Sequence, residues 1–480
     1  MEAVQLRPYQ QQAIQEARKK IIEGKKRFVF CSPTGSGKTF TFSFIVKSAI
    51  AKGKRVLILT HRLELMTQAG GSLDRLGVEI TNIEAGKNHT YFNKNLYAAM
   101  IETISRRMDK EPYQAFVRSL DMIIIDECHI GSFDKFFKHI SPDCVVIGFT
   151  ATPHRESNQA CMSTMYDDLV EVISIPELIK QGYLAEPVSY GVNIDLSKVK
   201  MKGKDYDSEE MGNYYSSQKV WAGVIENYNR ICPNTKALVF CPSISSSKLM
   251  RDELLNAGLN AKHLDGETPT HERKAILRWF KDTSNAILCN VGVLTTGFDE
   301  PSVQTIILYR ATKSLPLFLQ MVGRGSRVIS GVKEKFTILD FGNNIKEHGF
   351  WEDERVWNLK KKERKKKGAA AAKECKGCGA LLAPSVRICK FCGYEFKAKL
   401  KKEDPKVAEL QKLTSSAARK VAASSTLEEK VRMAKQGLIK AAWVLHNIND
   451  KQEALLFIKM MGYKPGWLYH NKTRFKVFQT

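Results

Sequence analysis

The run Ser32-Pro33-Thr34-Gly35-Ser36-Gly37-Lys38-Thr39 constrains this chain more than any other stretch. It follows the apolar, β-prone residues Phe28-Val29-Phe30-Cys31 and precedes an apolar segment from Phe40 to Ile50. That order predicts a strand, a glycine-rich turn and a helix start. Such a turn aims successive backbone N–H groups into one concavity, and the helix N-terminus adds the positive end of its dipole. Pro33, Thr34, Gly35, Ser36 and Gly37 are therefore expected to cradle phosphates. Lys38 supplies a mobile cation for the β- and γ-phosphates, and the Thr39 hydroxyl can ligate Mg2+. The pattern departs from its usual form at the first position, where Ser32 stands in place of glycine.

Around this turn the chain alternates short β-like runs with helical patterns, and it does so twice. The first series includes Phe28–Cys31, Val56–Thr60, Met122–Asp126 and Val145–Phe149; the second includes Ala237–Cys241, Ala286–Asn290, Thr305–Tyr309 and Phe336–Asp340. Alternation of this kind implies parallel α/β sheets. At 480 residues there is room for about three domains of ~150 residues. The expected divisions are two α/β lobes over 1–185 and 186–345, a basic linker over 346–374, a cysteine element over 375–400 and a helical tail over 401–480.

Charge narrows the partners. The formal net charge is +24, which favours a polyanion. The excess is unevenly placed: Lys360-Lys361-Lys362-Glu363-Arg364-Lys365-Lys366-Lys367 is nearly all basic, and reads as an electrostatic clamp, a linker or a nuclear address. Seven of the 11 cysteines are scattered, several in apolar runs, and read as buried thiols of a reduced compartment. There is no apolar signal segment at the N-terminus and no run approaching ~18 apolar residues. The expectation is a soluble, intracellular protein, in the host cytoplasm if phage-encoded.

The run Ile123-Ile124-Ile125-Asp126-Glu127 is an apolar strand ending in two carboxylates. A parallel sheet delivers such an end beside the phosphate-binding turn. Asp126 can then hold Mg2+ while Glu127 orients and deprotonates the attacking water, the division of labour that phosphoryl transfer needs.

Asp126-Glu127-Cys128-His129 resembles motif II of the superfamily-two, DEAD/DEAH-like helicases, and companions stand in the family's order. Arg7-Pro8-Tyr9-Gln10 resembles the adenine-reading region, with Arg7 and Gln10 as its nucleotide contacts. Thr60-His61-Arg62-Leu63-Glu64 resembles motif Ia, and Thr150-Ala151-Thr152-Pro153 resembles motif III. Val239-Phe240-Cys241-Pro242-Ser243 resembles motif IV, and Thr295-Thr296-Gly297-Phe298-Asp299 resembles motif V. Finally, Gln320-Met321-Val322-Gly323-Arg324-Gly325-Ser326-Arg327 resembles motif VI. The likeness spans roughly residues 5–345 and implies two tandem RecA-like parallel-sheet lobes sharing one ATPase site.

In such a site the second lobe brings cations to the transferring phosphoryl group. Arg324 and Arg327 fit, because i,i+3 spacing on a helix puts both on one face. Gln320, one turn earlier, can help place the water or the γ-phosphate. Thr150, Thr152 and, through motif II, His129 are the implied link between the ATP site and the nucleic-acid track. Thr60, Arg62, Ser243 and Thr296 are candidate phosphate contacts, which bind backbone without sequence preference. Asp299 either binds the ribose or tethers motif V. Gly266, in His263-Leu264-Asp265-Gly266, either touches the strand or belongs to an ordinary βα loop.

Two knuckles, Cys375-x-x-Cys378 and Cys389-x-x-Cys392, stand ten residues apart, each followed by glycine. Four thiolates at this spacing predict a closed, structural Zn2+ ribbon or knuckle. Its use is duplex or fork binding, or protein docking. The last segment interleaves Lys464, Trp467 and Tyr469 with further cations, which suits base stacking, or packing onto the preceding helices.

The expected function is an ATP-dependent DNA helicase or translocase with Mg2+ and Zn2+ as cofactors and forked, branched or Holliday-junction DNA as partner. The arrangement resembles phage recombination and repair helicases of the UvsW kind, which implies fork remodelling, branch migration and 3′→5′ movement. The alternatives are an RNA helicase or the motor subunit of a restriction-type complex. A non-catalytic zinc-dependent binder with a vestigial motor is disfavoured by the intact Lys38, Asp126, Glu127, Arg324 and Arg327.

Overall fold

The computed structural model describes residues 5–61, 63–87, 91–153, 155, 161–192, 194–295, 297–360, 373–382, 386–396, 425–435, 439–448 and 450–463. The chain forms two compact units, 1–367 and 368–480.

The larger unit begins with a seven-stranded parallel sheet: β1 (Arg27–Cys31), β2 (Val56–Thr60), β3 (Thr81–Ile83), β4 (Leu96–Met100), β5 (Met122–Asp126), β6 (Val145–Thr150) and β7 (Asp168–Glu171), in the order β3-β4-β2-β5-β6-β1-β7. Its central strands are covered on both faces, so they read as continuous apolar runs rather than alternating ones. Alternate side chains feed two cores. Val29, Leu57, Ile123 and Val146 enter one, while Phe28, Phe30, Ile58 and Ile124 enter the other. β6 lies between β5 and β1, with Cys31 opposite Thr150 and Asp126 opposite Phe149. Three strand ends thus finish side by side.

The second lobe is built on β8 (Glu186–Gly191), a small hairpin of β9 (Met201–Lys202) and β10 (Asp205–Tyr206), and then β11 (Ala237–Phe240), β12 (Ala261–Leu264), β13 (Ile287–Asn290), β14 (Thr305–Leu308) and β15 (Lys335–Asp340). Its six-stranded parallel sheet runs β12-β13-β11-β14-β15-β8. These are the two parallel-sheet lobes expected from the alternation.

The chain crosses between the lobes twice. In the first crossing Leu184 bridges Arg327, and the Ala185 amide donates to the Ser326 carbonyl at 2.8 Å. In the second, the segment after the helix Asn344–His348 returns to the first lobe. Trp351 is buried in the second lobe, with its indole N–H on the Leu319 carbonyl at 3.2 Å and its ring edge-on to Phe336. Eight residues later Leu359 enters a first-lobe core, and its carbonyl accepts the Ser163 amide at 3.1 Å.

The smaller unit holds a short hairpin, β16 (Lys373–Glu374) and β17 (Leu381–Leu382), beside the cysteine knuckles. It also holds the helices Leu427–Lys435, Ala441–His446 and Lys451–Met461 around Val431, Val444, Phe457 and Ile458. The earlier part of the expected helical tail, through residue 424, lies outside the described residues. Among the described residues no helix is long and apolar enough to cross a membrane.

Candidate active site

The turn after β1 is held in shape by its own serines. The Ser36 hydroxyl donates to the Pro33 carbonyl at 2.7 Å and lies 2.6 Å from the Ser32 hydroxyl. Ser32 therefore turns its side chain inward instead of filling the cradle. Gly35 (φ 93°) and Gly37 (φ 79°) adopt left-handed backbone that favours glycine. A Cβ at Gly35 would overlap the Arg327 guanidinium, and one at Gly37 would lie 2.6 Å from Gln10 Nε2. Gly37 caps the helix Lys38–Ile50, and the Lys38 ammonium donates to the Ser32 carbonyl at 3.3 Å.

The start of the helix Pro8–Ile22 buttresses this turn. The Tyr9 hydroxyl donates to the Ser36 carbonyl at 2.7 Å, and the Gln10 amide donates to the same oxygen at 3.2 Å. Arg7 donates to the Tyr9 hydroxyl at 3.1 Å and lies over the Tyr183 ring, 4.4 Å from its centroid.

At the end of β5, Asp126 and Glu127 are both buried. Glu127 has φ 51°, a rare conformation for a side-chain-bearing residue, and its amide donates to Asp126 Oδ1 at 3.0 Å. The neighbouring strand accommodates the turn: a Cβ at Gly148 of β6 would lie 2.6 Å from the Cys128 sulfur. Burial and then the adjacent Glu127 push the Asp126 carboxyl up to about 7. Burial also acts on Glu127, but Lys38, His129, His61 and Arg324 outweigh it and hold that carboxyl below its ordinary range. Both buried carboxyl groups line one cleft with Thr39, and together they offer hard oxygen donors of the kind that suits Mg2+.

His129 and the loop after β6 close round Glu127. His129 Nδ1 lies 2.8 Å from the Thr150 hydroxyl and 3.4 Å from Glu127 Oε2. The Thr150 hydroxyl is 3.4 Å from the same carboxylate oxygen and accepts the Thr152 amide at 3.0 Å. Thr150, Thr152 and His129 thus form one cluster with Glu127.

The second lobe supplies the opposite wall. Arg324 donates to the carbonyls of Phe298 and Thr295, the latter at 2.8 Å, and Arg327 pairs through Nε with Asp299 at 2.8 Å. One expectation needs correction. The helix ends at Gly323, so Arg324 and Arg327 do not share a helical face. Beyond it the amides of Arg324, Gly325 and Ser326 donate to the carbonyls three residues back, those of Met321, Val322 and Gly323, which tightens the chain into a turn. Gly325 sits in that turn where a Cβ would lie 2.5 and 2.8 Å from the side chains of Phe336 and Ile306. Both arginines still line the same cleft.

That cleft has a volume of 740 Å3 and gathers Gln5, Arg7 and Gln10, the turn residues Thr34, Gly35, Gly37, Lys38 and Thr39, both carboxylates, and Gly297, Asp299, Arg324 and Arg327. Phe40, Gly71, Ser72 and Arg75 also line it, none of which belongs to a recognised motif. Tyr183 is a further residue that sequence reasoning passed over; a single aromatic in an interlobe connection carries no pattern. Pro33 and Ser36 support the turn from beneath. Gln320 is buried in its helix and does not line the cleft.

Of the expected nucleic-acid contacts, the three described ones do not line the cleft. Thr60 is buried at the end of β2, and Ser243 caps the helix Ile244–Asn256 by accepting the Ser246 amide. Gly266 is exposed in the turn after β12. Arg62, Thr296, Lys464, Trp467, Tyr469 and the basic block beyond Lys360 lie outside the described residues.

In the smaller unit the sulfur atoms of Cys375, Cys378, Cys389 and Cys392 all lie within 4.8 Å of one another. Against burial, the amides of Cys378 and Gly377 bring the Cys375 thiol down to about 7, whereas burial pushes Cys378 up to about 12. Four converging sulfurs with amide donors fit a structural Zn2+.

Comparison with known proteins agrees with this geometry. Residues 3–155 match the family model "Type III restriction enzyme, res subunit", and 223–328 match "Helicase conserved C-terminal domain". A 51.5 kDa protein of a Lactococcus phage is 32% identical over 382 residues, covering 78% of this chain and 79% of that one. The Saccharomyces cerevisiae protein named "Putative ATP-dependent helicase IRC3" is 29% identical over 70% of this chain, which spans only 51% of it. The Escherichia coli type I restriction enzyme EcoAI endonuclease subunit is also 29% identical over 70% of this chain, which spans 46% of it. Among solved structures, a fragment named as "a putative HsdR subunit of a type I restriction enzyme" from Vibrio vulnificus superposes with a TM-score of 0.56 at 25% identity, covering 70% of this chain and 64% of that one. The chain belongs to the superfamily-two helicases. It is an ATP-hydrolysing helicase that acts on nucleic acid.

Proposed function

We propose that this chain is a DNA motor that remodels forked or branched DNA, coupling ATP hydrolysis to closure of its two lobes and moving 3′→5′. The observation that carries the ATPase assignment is the convergence of Lys38, Glu127, Arg324 and Arg327 on one cleft. In this reading the turn over residues 33–37, with Arg7, Gln10 and Asp299, holds the nucleotide. Lys38 contacts the β- and γ-phosphates. Thr39 and Asp126 hold Mg2+, which offsets phosphate charge. Glu127 orients the attacking water and takes its proton. Arg324 and Arg327 exchange their present oxygen partners for the transferring phosphoryl group. The cluster of His129, Thr150 and Thr152 links the state of Glu127 to the nucleic-acid track, with Arg62, Gly266 and Thr296 as its backbone contacts; Thr60 and Ser243, both buried, shape the strand and helix ends beneath it.

DNA rather than RNA is favoured by kinship with a restriction-enzyme subunit at 29% identity. The same kinship, with the match of residues 3–155 to a restriction subunit, favours one second reading: the motor subunit of a restriction-type complex. The smaller unit, with its four-cysteine site filled by zinc and its basic, aromatic end, would grip the junction. Two measurements test this. Glu127→Gln should abolish DNA-stimulated hydrolysis while ATP still binds. Unwinding of matched forked DNA, four-way junction and RNA duplexes should rank RNA last; preference for RNA would overturn the substrate, and hydrolysis unaffected by Glu127→Gln would overturn the motor.

A further inference from the structure

Arg155 stands five residues beyond Thr150, outside every motif read from the sequence, yet its side chain is only 2% exposed. Its guanidinium is used on two sides. One side meets Asp134 in a two-point ion pair, Nη1 to Oδ2 and Nη2 to Oδ1, each at 2.8 Å. The other side donates to two successive carbonyls, Nε to His129 at 3.0 Å and Nη2 to Cys128 at 3.2 Å. Those carbonyls directly follow Glu127, the residue with φ 51°. The planar fork of arginine fits such a double grip, which a lysine ammonium does not reproduce.

The consequence is geometric. Glu127 and His129 ride on the segment whose carbonyls Arg155 holds. Thr150 and Thr152 ride on the strand end and loop from which Arg155 projects. Asp134, in the 3-10 helix Gly131–His139, fixes the guanidinium plane. We infer that Arg155 is a positioning residue for hydrolysis: it locks the Glu127–His129 turn to the loop after β6, so that the Glu127 carboxylate keeps its aim at the water. Asp134 is its anchor. This rests on the ATPase reading of the cleft. Lysine keeps the charge but satisfies fewer of the bonds, so the turn relaxes by a fraction of an ångström or more. Misplacement of a catalytic group by about 1 Å can lower turnover by about a hundredfold.

The full chain, with single-stranded DNA as activator, provides the test. Wild type, Arg155→Lys, Arg155→Met and Asp134→Asn are compared for kcat, KM for ATP, dissociation constant for a fluorescent ADP analogue, and melting temperature. Arg155→Lys should lose about tenfold or more in kcat, with nucleotide affinity within about threefold of wild type. Asp134→Asn, on the more exposed partner, should show the same split to a smaller degree. Combined with Arg155→Met it should add little, because the two act as one unit. Wild-type kcat in a folded Arg155→Lys and Asp134→Asn pair would overturn the inference. So would a joint fall of kcat, affinity and melting temperature in both, which marks a brace of the fold alone. Absence of hydrolysis in wild type would instead overturn the ATPase reading, a distinguishable result.

Discussion

Gly323→Ala tests whether the lobe contact seen here is the hydrolytic one. Gly323 is the last, buried residue of the helix Leu315–Gly323. A Cβ placed there would lie 2.8 Å from Thr34 Cβ and 2.9 Å from Thr34 Cγ2. Carbon atoms pack best at about 3.5–4.0 Å, so the new methyl overlaps Thr34 by about 1 Å. Thr34 cannot swing away, because its Cβ is fixed to a turn pinned by the Ser32 amide on the Thr150 carbonyl and the Ser36 amide on the Pro33 carbonyl. The helix must therefore retreat from the turn by about 1 Å, carrying the adjacent Arg324 and the nearby Arg327 with it. The second lobe itself is not weakened, since alanine is better than glycine in a helix by about 1 kcal/mol. A displacement of about 1 Å at the phosphoryl-stabilising cations should cost about a hundredfold in kcat, or about 2.7 kcal/mol of barrier. The assay is steady-state hydrolysis at saturating single-stranded DNA, with nucleotide affinity and melting temperature measured alongside. Affinity within about threefold and an unchanged melting temperature are expected, because the first lobe holds most of the cradle. A folded Gly323→Ala protein with wild-type kcat would refute the reasoning.

Gly325→Ala should behave differently: its Cβ meets Phe336 and Ile306 within the second lobe, so it should lower the melting temperature, by overpacking worth about 1–3 kcal/mol. A Gly325→Ala protein as stable as wild type would contradict that packing. Lys333 is buried with its ammonium on the carbonyls of Gly325 and Pro301, and burial, then Arg327, brings it down to about 7. In the unfolded chain a lysine keeps its proton to about pH 10.4, so the unfolded state binds more protons between these values, and this group's contribution makes stability rise from pH 7 toward 10. Urea midpoints at pH 7 and 9 should therefore climb more steeply for wild type than for Lys333→Met; equal slopes would count against the buried amine. Cys378→Ser should release zinc that the wild-type protein keeps through dialysis, and full metal retention by the variant would exclude a four-thiolate site.

The lobes were legible because doubly covered strands announce themselves as unbroken apolar runs, and because the chemistry sits where those runs stop. Asp126 and Thr150 end their strands, and the phosphate turn follows a third. What stayed hidden are polar side chains that bind backbone far away in sequence. Arg155 reaches carbonyls 26 and 27 residues back, and Tyr9 reaches one 27 residues ahead. Neither contact leaves a period in the sequence. Spacing misled at Arg324 and Arg327, since an i,i+3 pair implies a helix only if the helix continues, and here it ends at Gly323 and passes into a turn of i→i−3 bonds. The second interlobe crossing was invisible for a similar reason: Trp351 and Leu359 belong to two short apolar groups, Phe350-Trp351 and Val356-Trp357-x-Leu359, split by four charged residues, with neither a helical nor a strand period.

The glycines of the phosphate turn carry more information than a phosphate cradle needs. Ser32 occupies a position that the common pattern gives to glycine, and it is not among the residues with positive φ; its hydroxyl is absorbed by Ser36. No conformational demand therefore acts on position 32. Positions 35 and 37 do carry such a demand, and each also lacks room for a side chain, because of different elements. At Gly37 the obstacle is Gln10, on the first lobe's opening helix; at Gly35 it is Arg327, from the second lobe. A phosphate cradle standing alone would need Gly35 for its backbone angle only. That the bare face also admits an arginine from the other lobe means the turn is shaped for a closed site, so hydrolysis should depend on the gap between lobes more steeply than nucleotide binding does. The Gly323→Ala and Arg155 variants probe the two walls of that gap separately, and because they share no partner their effects on kcat should multiply.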